Sequence, residues 1–378
     1  MTATALELAT GKPSKEAWVG LVAAVVAGGG FSPEVEAALA SWPAHWRVLT
    51  PEIAADMGHP AWPLVRAILP YTHSVSTPEV LRLGAAGKLR ALTLLSLDSG
   101  FTAKDLAHIG SSLDFPSLTH LNAIRAGVGI AGAKAVASGP NYASLTRLVF
   151  HNNDIGSEGA KALAESPQLG ALEELFVSFN NIGAVGGVAI AESAALPSLV
   201  QWHAFGNPMG PPTAEALGRT ASRARLKTLM LGRGELGAAG ARALAEGEHL
   251  GGLEELYLSA NAIGDDGALA LAGSETLRLT LLALTNNGIS DRGAAPLLRS
   301  PVLAAAMRLD LNHNHLGRAS LLALLDPAVP RALRRYVFDL CKDSFSPADL
   351  KAGLKHRGVK GYSKLKKADL QALIDAQV

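Results

Sequence analysis

The chain has 378 residues, of which 48% are hydrophobic, and its 34 Lys+Arg against 33 Asp+Glu leave a formal net charge of +1. No apolar run reaches the roughly 18 residues that a membrane helix needs, and a single cysteine, Cys341, excludes an intrachain disulfide framework. The charge is uneven: residues 331–378 hold eleven basic and five acidic residues, a net of +6, which leaves residues 1–330 at −5.

The apolar stretch from Val19 to Gly30 follows Glu7, Lys12, Lys15 and Glu16 and begins late for a signal peptide, so a buried helix is expected there. One cysteine and no N-x-[ST] sequon fit a reducing, cytoplasmic setting. The Ala- and Gly-rich composition points to a GC-rich bacterial source.

Residues 1–85 follow no repeat. Helical stretches are expected around 15–28 and 33–41, with prolines at 43, 51, 60, 63 and 70 beyond them. Trp18, Trp42, Trp46 and Trp62, four of the five tryptophans, lie here. The region reads as a helical cap with a Trp-rich core, and a separate interaction domain is the other reading. A cap is needed because a stack of repeats exposes the apolar flank of its terminal coil.

From Leu92 one phrase recurs nine times, L-x-x-L-x-L-x-x-N-x-I-G. It is clearest at Leu145 (LTRLVFHNNDIG), Leu172 (LEELFVSFNNIG) and Leu253 (LEELYLSANAIG). Its first position falls at 92, 118, 145, 172, 199, 226, 253, 279 and 306, always 26 or 27 residues apart. The L-x-L core alternates as a short strand with one buried face does. A helical stretch follows, such as residues 156–165 and 237–246. A small residue recurs where that helix starts to pack (Gly132, Gly159, Gly186, Thr213, Gly240, Gly267, Gly293, Ser320), and a β-carbon there is expected to push the helix off the strand layer. An aliphatic residue stands four positions later, from Val136 to Leu324. One strand and one helix cannot bury both faces alone, so coils must stack, with parallel strands on the concave side and helices on the convex side.

Asn153, Asn180, Asn207, Asn261, Asn287 and Asn314 occupy the asparagine position, where a buried amide can satisfy backbone groups of its own loop and of the next coil. Gly100, Ala126 and Gly234 break the column, and Gly234 marks a weaker coil in the middle. The phrase resembles the ribonuclease-inhibitor class of leucine-rich repeats over about residues 92–327. That resemblance implies an α/β leucine-rich repeat solenoid, a horseshoe, and says little about the partner.

Between its last two core positions each copy exposes one residue: Ser96, Asn122, Val149, Phe176, His203, Met230, Tyr257, Ala283 and Asp310. Phe179 and Phe205 stand just beyond, with His151, Arg125 and Arg233 nearby. Phe176, Phe179, Phe205 and Tyr257 sit where packing demands no apolar group, and exposed aromatics on adjacent strands suggest an interface core. The expected partner surface is therefore Phe176, Phe179, His203, Phe205, Met230, Tyr257, Arg233 and His151.

Three motifs have plain explanations. Gly127-Val-Gly-Ile-Ala-Gly132 has the G-x-G-x-x-G form of a dinucleotide loop, but Gly129 and Gly132 belong to the repeat, so no cofactor is expected. Asn312-His-Asn-His315 looks metal-like, yet Asn314 belongs to the asparagine column, and no metal is expected. Cys341-Lys-Asp343 has the form of a ubiquitin ligase motif with too little chain after it, and reads as a lone cysteine on a helix from Arg331 to Lys342. No nucleophile–base pair or phosphate loop supports catalysis, so no catalytic residue is expected.

In the tail, Ser346-Pro347 is a helix start. A helix through Leu350 and Leu354 is expected to end near His356-Arg357-Gly358, with a loop 359–363 leading to a helix carrying Leu365, Leu370, Leu373 and Ile374. Leu354-Lys-His-Arg-Gly-Val359 resembles the SAP motif. Gly361-Tyr-Ser-Lys-Leu-Lys-Lys-Ala-Asp-Leu370 resembles the N-terminal helical module of transcription terminator Rho. The resemblance implies DNA or RNA contact through Lys355, Arg357, Lys360, Lys364, Lys366 and Lys367, with Lys351 beside them; a peptide-binding or capping role is the other reading.

The expected organisation is a helical cap at 1–85, nine repeats at 86–327, a linker helix at 328–343 and a SAP/Rho-like module at 344–378. The expected function is a cytoplasmic, monomeric, non-enzymatic scaffold that binds a protein on its concave face. A nucleic-acid-associated regulator and a regulator of a GTPase are the alternatives.

Overall fold

The computed structural model describes residues 5–28, 33–50, 65–69, 76–97 and 101–378, together with 53, 55, 57, 59, 61 and 62. Gly30, Gly100, the side chain of Trp46 and the prolines at 51, 60, 63 and 70 lie outside the described residues. The chain forms two compact units, residues 1–155 with 165–176, and 156–164 with 177–378. Both are built as stacked coils of an α/β leucine-rich repeat solenoid.

In the first unit, helices Ala5–Thr10, Lys15–Gly28 and Pro33–Leu39 form the N-terminal region. Trp18 and Trp42 are buried, and their indole N–H groups donate to the carbonyls of Val48 and Ala9, each at 2.9 Å. This is how a buried indole avoids stranding its donor. Buried Arg47 donates to the Leu39 carbonyl at 3.2 Å, and burial, aided by repulsion from Arg66, brings its guanidinium down to about 10.

A two-residue strand, β1 (Ala67–Ile68), pairs in parallel with β2 (Leu94–Leu97). The sheet thus begins one strand before the first copy of the phrase. Strands β3 (His120–Ala123), β4 (Arg147–Val149) and β5 (Glu174–Phe176) follow in chain order, all parallel. The second unit continues the pattern with β6 (Gln201–His203), β7 (Thr228–Met230), β8 (Glu255–Tyr257), β9 (Leu281–Ala283) and β10 (Arg308–Asp310). A helix of seven to ten residues follows each strand from β2 onward, from Ala103–Ser111 to Arg318–Leu324. Alternation sets the register: Leu256 and Leu258 are fully buried while Tyr257 is half-buried on the open strand face.

The asparagine column reaches backward. Oδ1 of Asn207 accepts from the amides of Asn180 (2.9 Å) and Ile182 (3.0 Å), while its Nδ2 donates to Val177 and Ala204, each at 2.9 Å. Asn261 treats Gly234, Leu236, Leu231 and Leu258 in the same way. These two buried amides therefore serve their own coil and close the turn of the preceding one, not the following one. At Gly234 that service is missing, and the Met209 amide turns instead to its own neighbour, the Asn207 carbonyl, at 2.8 Å.

The small-residue column spaces one helix from the helix before it. A β-carbon on Gly186 would stand 2.9 Å from Ser157 Cα and 3.0 Å from Ala160 Cβ, and one on Gly267 would stand 3.0 Å from Ala241 Cβ. Closer still is the coil's own aliphatic side chain four positions earlier, Ile182 or Ile263, so the small residue makes room both for that core side chain and for the neighbouring helix. Thr213 fits its place because Gly187 opposite has no side chain; a β-carbon there would stand 2.2 Å from the threonine hydroxyl.

Two carboxylates tie successive helix starts together. Asp265 accepts from the Ser290 amide (2.7 Å), the Ser290 hydroxyl (2.7 Å) and the Gly293 amide (3.0 Å). Asp291 accepts from Gly317 (2.8 Å), Ala319 (2.9 Å) and Ser320 (3.0 Å). Burial alone would raise both carboxyls, but these donors hold each below the usual carboxylate range. On the outer loops, the hydroxyls of Ser166, Ser193, Ser274 and Ser300 donate to carbonyls of the coil before, at Ala137, Ala164, Ala245 and Ala272.

The tail is packed onto the second unit. Helix Arg331–Cys341 lies against β10, and helix Pro347–His356 lies against Arg318–Leu324 and helix Lys367–Asp375. The first tail helix begins as its sequence suggests, and a capping box adds to the serine cap: Ser346 accepts from the Asp349 amide at 3.2 Å, and Asp349 accepts from the Ser346 amide at 3.0 Å. The last helix starts at Lys367, so Leu365 precedes it. Gly353 lets these helices meet, since a β-carbon there would stand 3.0 Å from Leu325 and Ile374 and 3.1 Å from Leu321.

Candidate strand-face interface

The strand face carries two groups of aromatic and charged side chains, one in each unit. In the first, Phe176 at the end of β5 is only 9% exposed although it points away from the leucine core. Its neighbours in the sheet account for this. The Arg147 guanidinium lies 4.5 Å over the ring, and His151 meets it edge-on at 5.9 Å between centroids. Arg147 also pairs with Glu174 at 2.6 Å, so the guanidinium is fixed while it covers the ring. Half-buried His151 is pushed below the ordinary imidazole range by burial and then by Arg147. His120 is lowered by burial and by Arg147 against a smaller opposing pull from Glu174.

In the second unit, Phe179 and Phe205 form a step. Their centroids are 5.3 Å apart in an edge-to-face arrangement, and Phe179 is 48% exposed. Each ring lies on a glycine of the following coil: a β-carbon on Gly206 would reach 2.6 Å from the Phe179 ring, and one on Gly232 would reach 2.6 Å from the Phe205 ring. The exposed Arg233 guanidinium lies 5.7 Å from the Phe205 centroid. His203 and Met230 are half-buried on adjacent strands, opposite each other in the parallel register.

Tyr257 belongs to a different setting. Its hydroxyl donates to Glu255 at 3.0 Å; burial, with that bond and the carboxylate's charge, raises the phenol to about 12, and Tyr336 of helix Arg331–Cys341 adds to the shift. That helix covers β10. Its Cys341 is buried, and burial, helped by Asp310, pushes the thiol up to about 12, the reverse of what a nucleophilic cysteine needs. His313 and His315 are exposed on either side of buried Asn314. No group of three or more His, Cys, Asp or Glu suited to a metal occurs among the described residues.

In the tail, Lys355, Arg357, Lys360, Lys364 and Lys366 are exposed, and Lys367 is half-buried with its ammonium on the Asp343 carbonyl at 2.9 Å. Lys351 donates to the Ser363 carbonyl at 2.8 Å, closing the loop between the two helices.

Several participants are not evident from residue type alone. Arg147 falls on an outward strand position and has no aromatic neighbour in sequence. Gly206 and Gly232 look like ordinary turn glycines. Their signal is positional: each lies one coil after an aromatic residue, at 27 residues' distance.

A family model described as Leucine Rich repeat matches residues 143–164, 172–191, 253–272 and 279–298. No curated protein matches the chain. Leucine-rich repeats are generally protein-interaction motifs. No helix among the described residues is long and apolar enough to cross a membrane.

Proposed function

We propose that the chain is a non-enzymatic scaffold that holds a protein partner on the open strand face of its repeats. One observation carries this reading: exposed Phe179 and exposed Arg233 stand with the Phe205 ring on the strand face, outside the leucine core. Aromatic and arginine side chains are the groups that dominate protein-binding hot spots. The full helix behind each strand supports a repeat of the ribonuclease-inhibitor class, and a GTPase is one partner such a scaffold can regulate. A single buried cysteine supports a reducing, cytoplasmic setting, and we take the protein to act as a monomer.

A crosslinked pull-down with the wild-type chain and with a Phe176→Ala/Phe205→Ala/Tyr257→Ala variant tests the reading. The variant is expected to keep its thermal midpoint within a few degrees and to lose the partner. Capture of every wild-type partner by the variant overturns it.

A second reading has its own support. Five exposed cations crowd the loop and helix ends of residues 355–366, which fits the SAP/Rho resemblance and weak nucleic-acid contact. A gel shift at about 50 and 200 mM salt, with and without the tail, decides it. Binding that needs the tail and falls steeply with salt supports it; no binding at the lower salt leaves the tail a cap.

A further inference from the structure

Phe179 and Arg233 share an unusual backbone position. Both occupy the left-handed region, at φ 56° and 52°. Their column of the repeat also holds Arg125, Asn152, Gly206, Ala260, Asn286 and His313, all at positive φ. Glycine and asparagine adopt this conformation at least cost, whereas a bulky side chain is strained there by about 1 kcal/mol or more. Backbone geometry therefore gives no reason for phenylalanine at 179 or arginine at 233. Both side chains are nonetheless ordered against the same group, the Phe205 ring, which lies between them.

The geometry points to a peptide ligand for this step, one that places an apolar side chain beside a carboxylate. The assignment rests on the scaffold reading above and gives its partner a chemistry. An apolar side chain fits over the Phe179–Phe205 step, whose rings pack against Gly206 and Gly232. The carboxylate answers Arg233. That guanidinium is exposed and has an aromatic contact, and among the described residues it has no carboxylate partner. A planar guanidinium offers paired donors that match a carboxylate's two oxygens. A nucleic acid fits less well: residues 1–330 carry a net −5, and Glu235 stands exposed two residues from Arg233. One cation in acidic surroundings suits a single anionic group rather than a polyanion.

The test is to pan a random peptide library against the full chain and to measure the enriched peptides, made synthetically, by fluorescence anisotropy. The variants are Phe179→Ala, Phe205→Ala and Arg233→Gln. Ala260 already holds the left-handed position at φ 57°, so the fold accepts alanine in that column, and thermal melts check each variant. Enriched peptides are expected to carry Asp or Glu within a few residues of Phe, Leu, Met or Trp. Phe179→Ala and Phe205→Ala are each expected to weaken binding about tenfold. The wild type should prefer an acidic peptide to its Glu→Gln or Asp→Asn analogue, and Arg233→Gln should abolish that preference. Retention of the preference by Arg233→Gln, or no acidic–apolar motif among the binders, overturns the assignment. So does displacement of the peptide by a single-stranded oligonucleotide that itself depends on Phe179. Binders that ignore these three residues but respond to Phe176→Ala or Tyr257→Ala defeat this assignment and leave the scaffold reading standing. Binders indifferent to all five defeat both.

Discussion

Arg223 Nε donates to the carbonyl of Ala191 at 3.0 Å, the carbonyl that a serine at position 220 would take if the serine ladder were unbroken. Residue 220 is threonine and makes no such bond, and the arginine stands in for it. Its other nitrogens donate to Leu196, at 2.8 Å, and to Ser193. Arg223 is fully buried, and burial lowers its guanidinium to about 10, which still leaves it protonated at neutral pH.

Replacing Arg223 by leucine, the residue found at 169, 196 and 250 in the same column, therefore removes a side-chain donor from three carbonyls and leaves that of Leu196 only the Leu199 amide at 3.5 Å. The expected cost is about 2–4 kcal/mol in chemical denaturation. Adding Thr220→Ser should restore one acceptor's partner and recover about 1 kcal/mol. A double variant no more stable than the single one would show that the two positions do not share the Ala191 carbonyl.

The core register makes a sharper contrast. Leu256→Ala should destabilise the protein by roughly 2–5 kcal/mol, because a fully buried leucine leaves a cavity in the stack. Tyr257→Ala should cost much less. Equal losses of thermal stability would place the strand one residue out of register.

Much of this was open to sequence reasoning because a period constrains residue type. The leucines, the asparagine column and the strand positions repeat, so each copy corroborates the others. Single occurrences are harder. Ala67–Ile68 lacks the phrase, yet forms β1 because the amides of Thr93 and Leu94 bond to Arg66 at 2.8 and 2.9 Å. Arg223 stands at an apolar position where an arginine suggests solvent. Alternation assigns Phe176 to the open face as an exposed ring, but does not show that Arg147 and His151 on either side cover it and leave it only 9% exposed. Asparagine type predicts a buried amide; only the stacked coils reveal which neighbour it serves.

Acid should loosen the second unit first at Asp265 and Asp291. Their folded carboxyls lie below the unfolded value of about 3.9, so the stability they add is complete above that value. It is lost as pH falls through the folded values. Asp291→Asn is expected to lower the denaturation midpoint at pH 7 and to approach wild type in strong acid. A deficit that stays constant across that range would rule out the carboxylate's charge as the source.

The tail should matter to stability whether or not it binds nucleic acid. Gly353→Val places methyl groups where Leu321, Leu325 and Ile374 already stand at 3.0–3.1 Å from the β-carbon site. Overpacking of this kind costs about 1–3 kcal/mol. Hydrogen exchange should quicken in helix Arg318–Leu324 as well as in the tail. Exchange confined to residues 344–378 would mean that the tail is not a cap.

The backward reach of the asparagine column sets an order on synthesis. A chain leaves the ribosome from its N-terminus, so each new coil emerges with its turn unfinished. The amides of Asn180 and Ile182 wait for Asn207, and those of Gly234 and Leu236 wait for Asn261. Each of these turns is thus completed by chain that arrives 25 or 27 residues later. A nascent solenoid of this kind carries one provisional coil at its growing end throughout translation. The signal that growth is finished is the arrival of a different element: the helix Arg331–Cys341, which settles on β10 and brings no further strand.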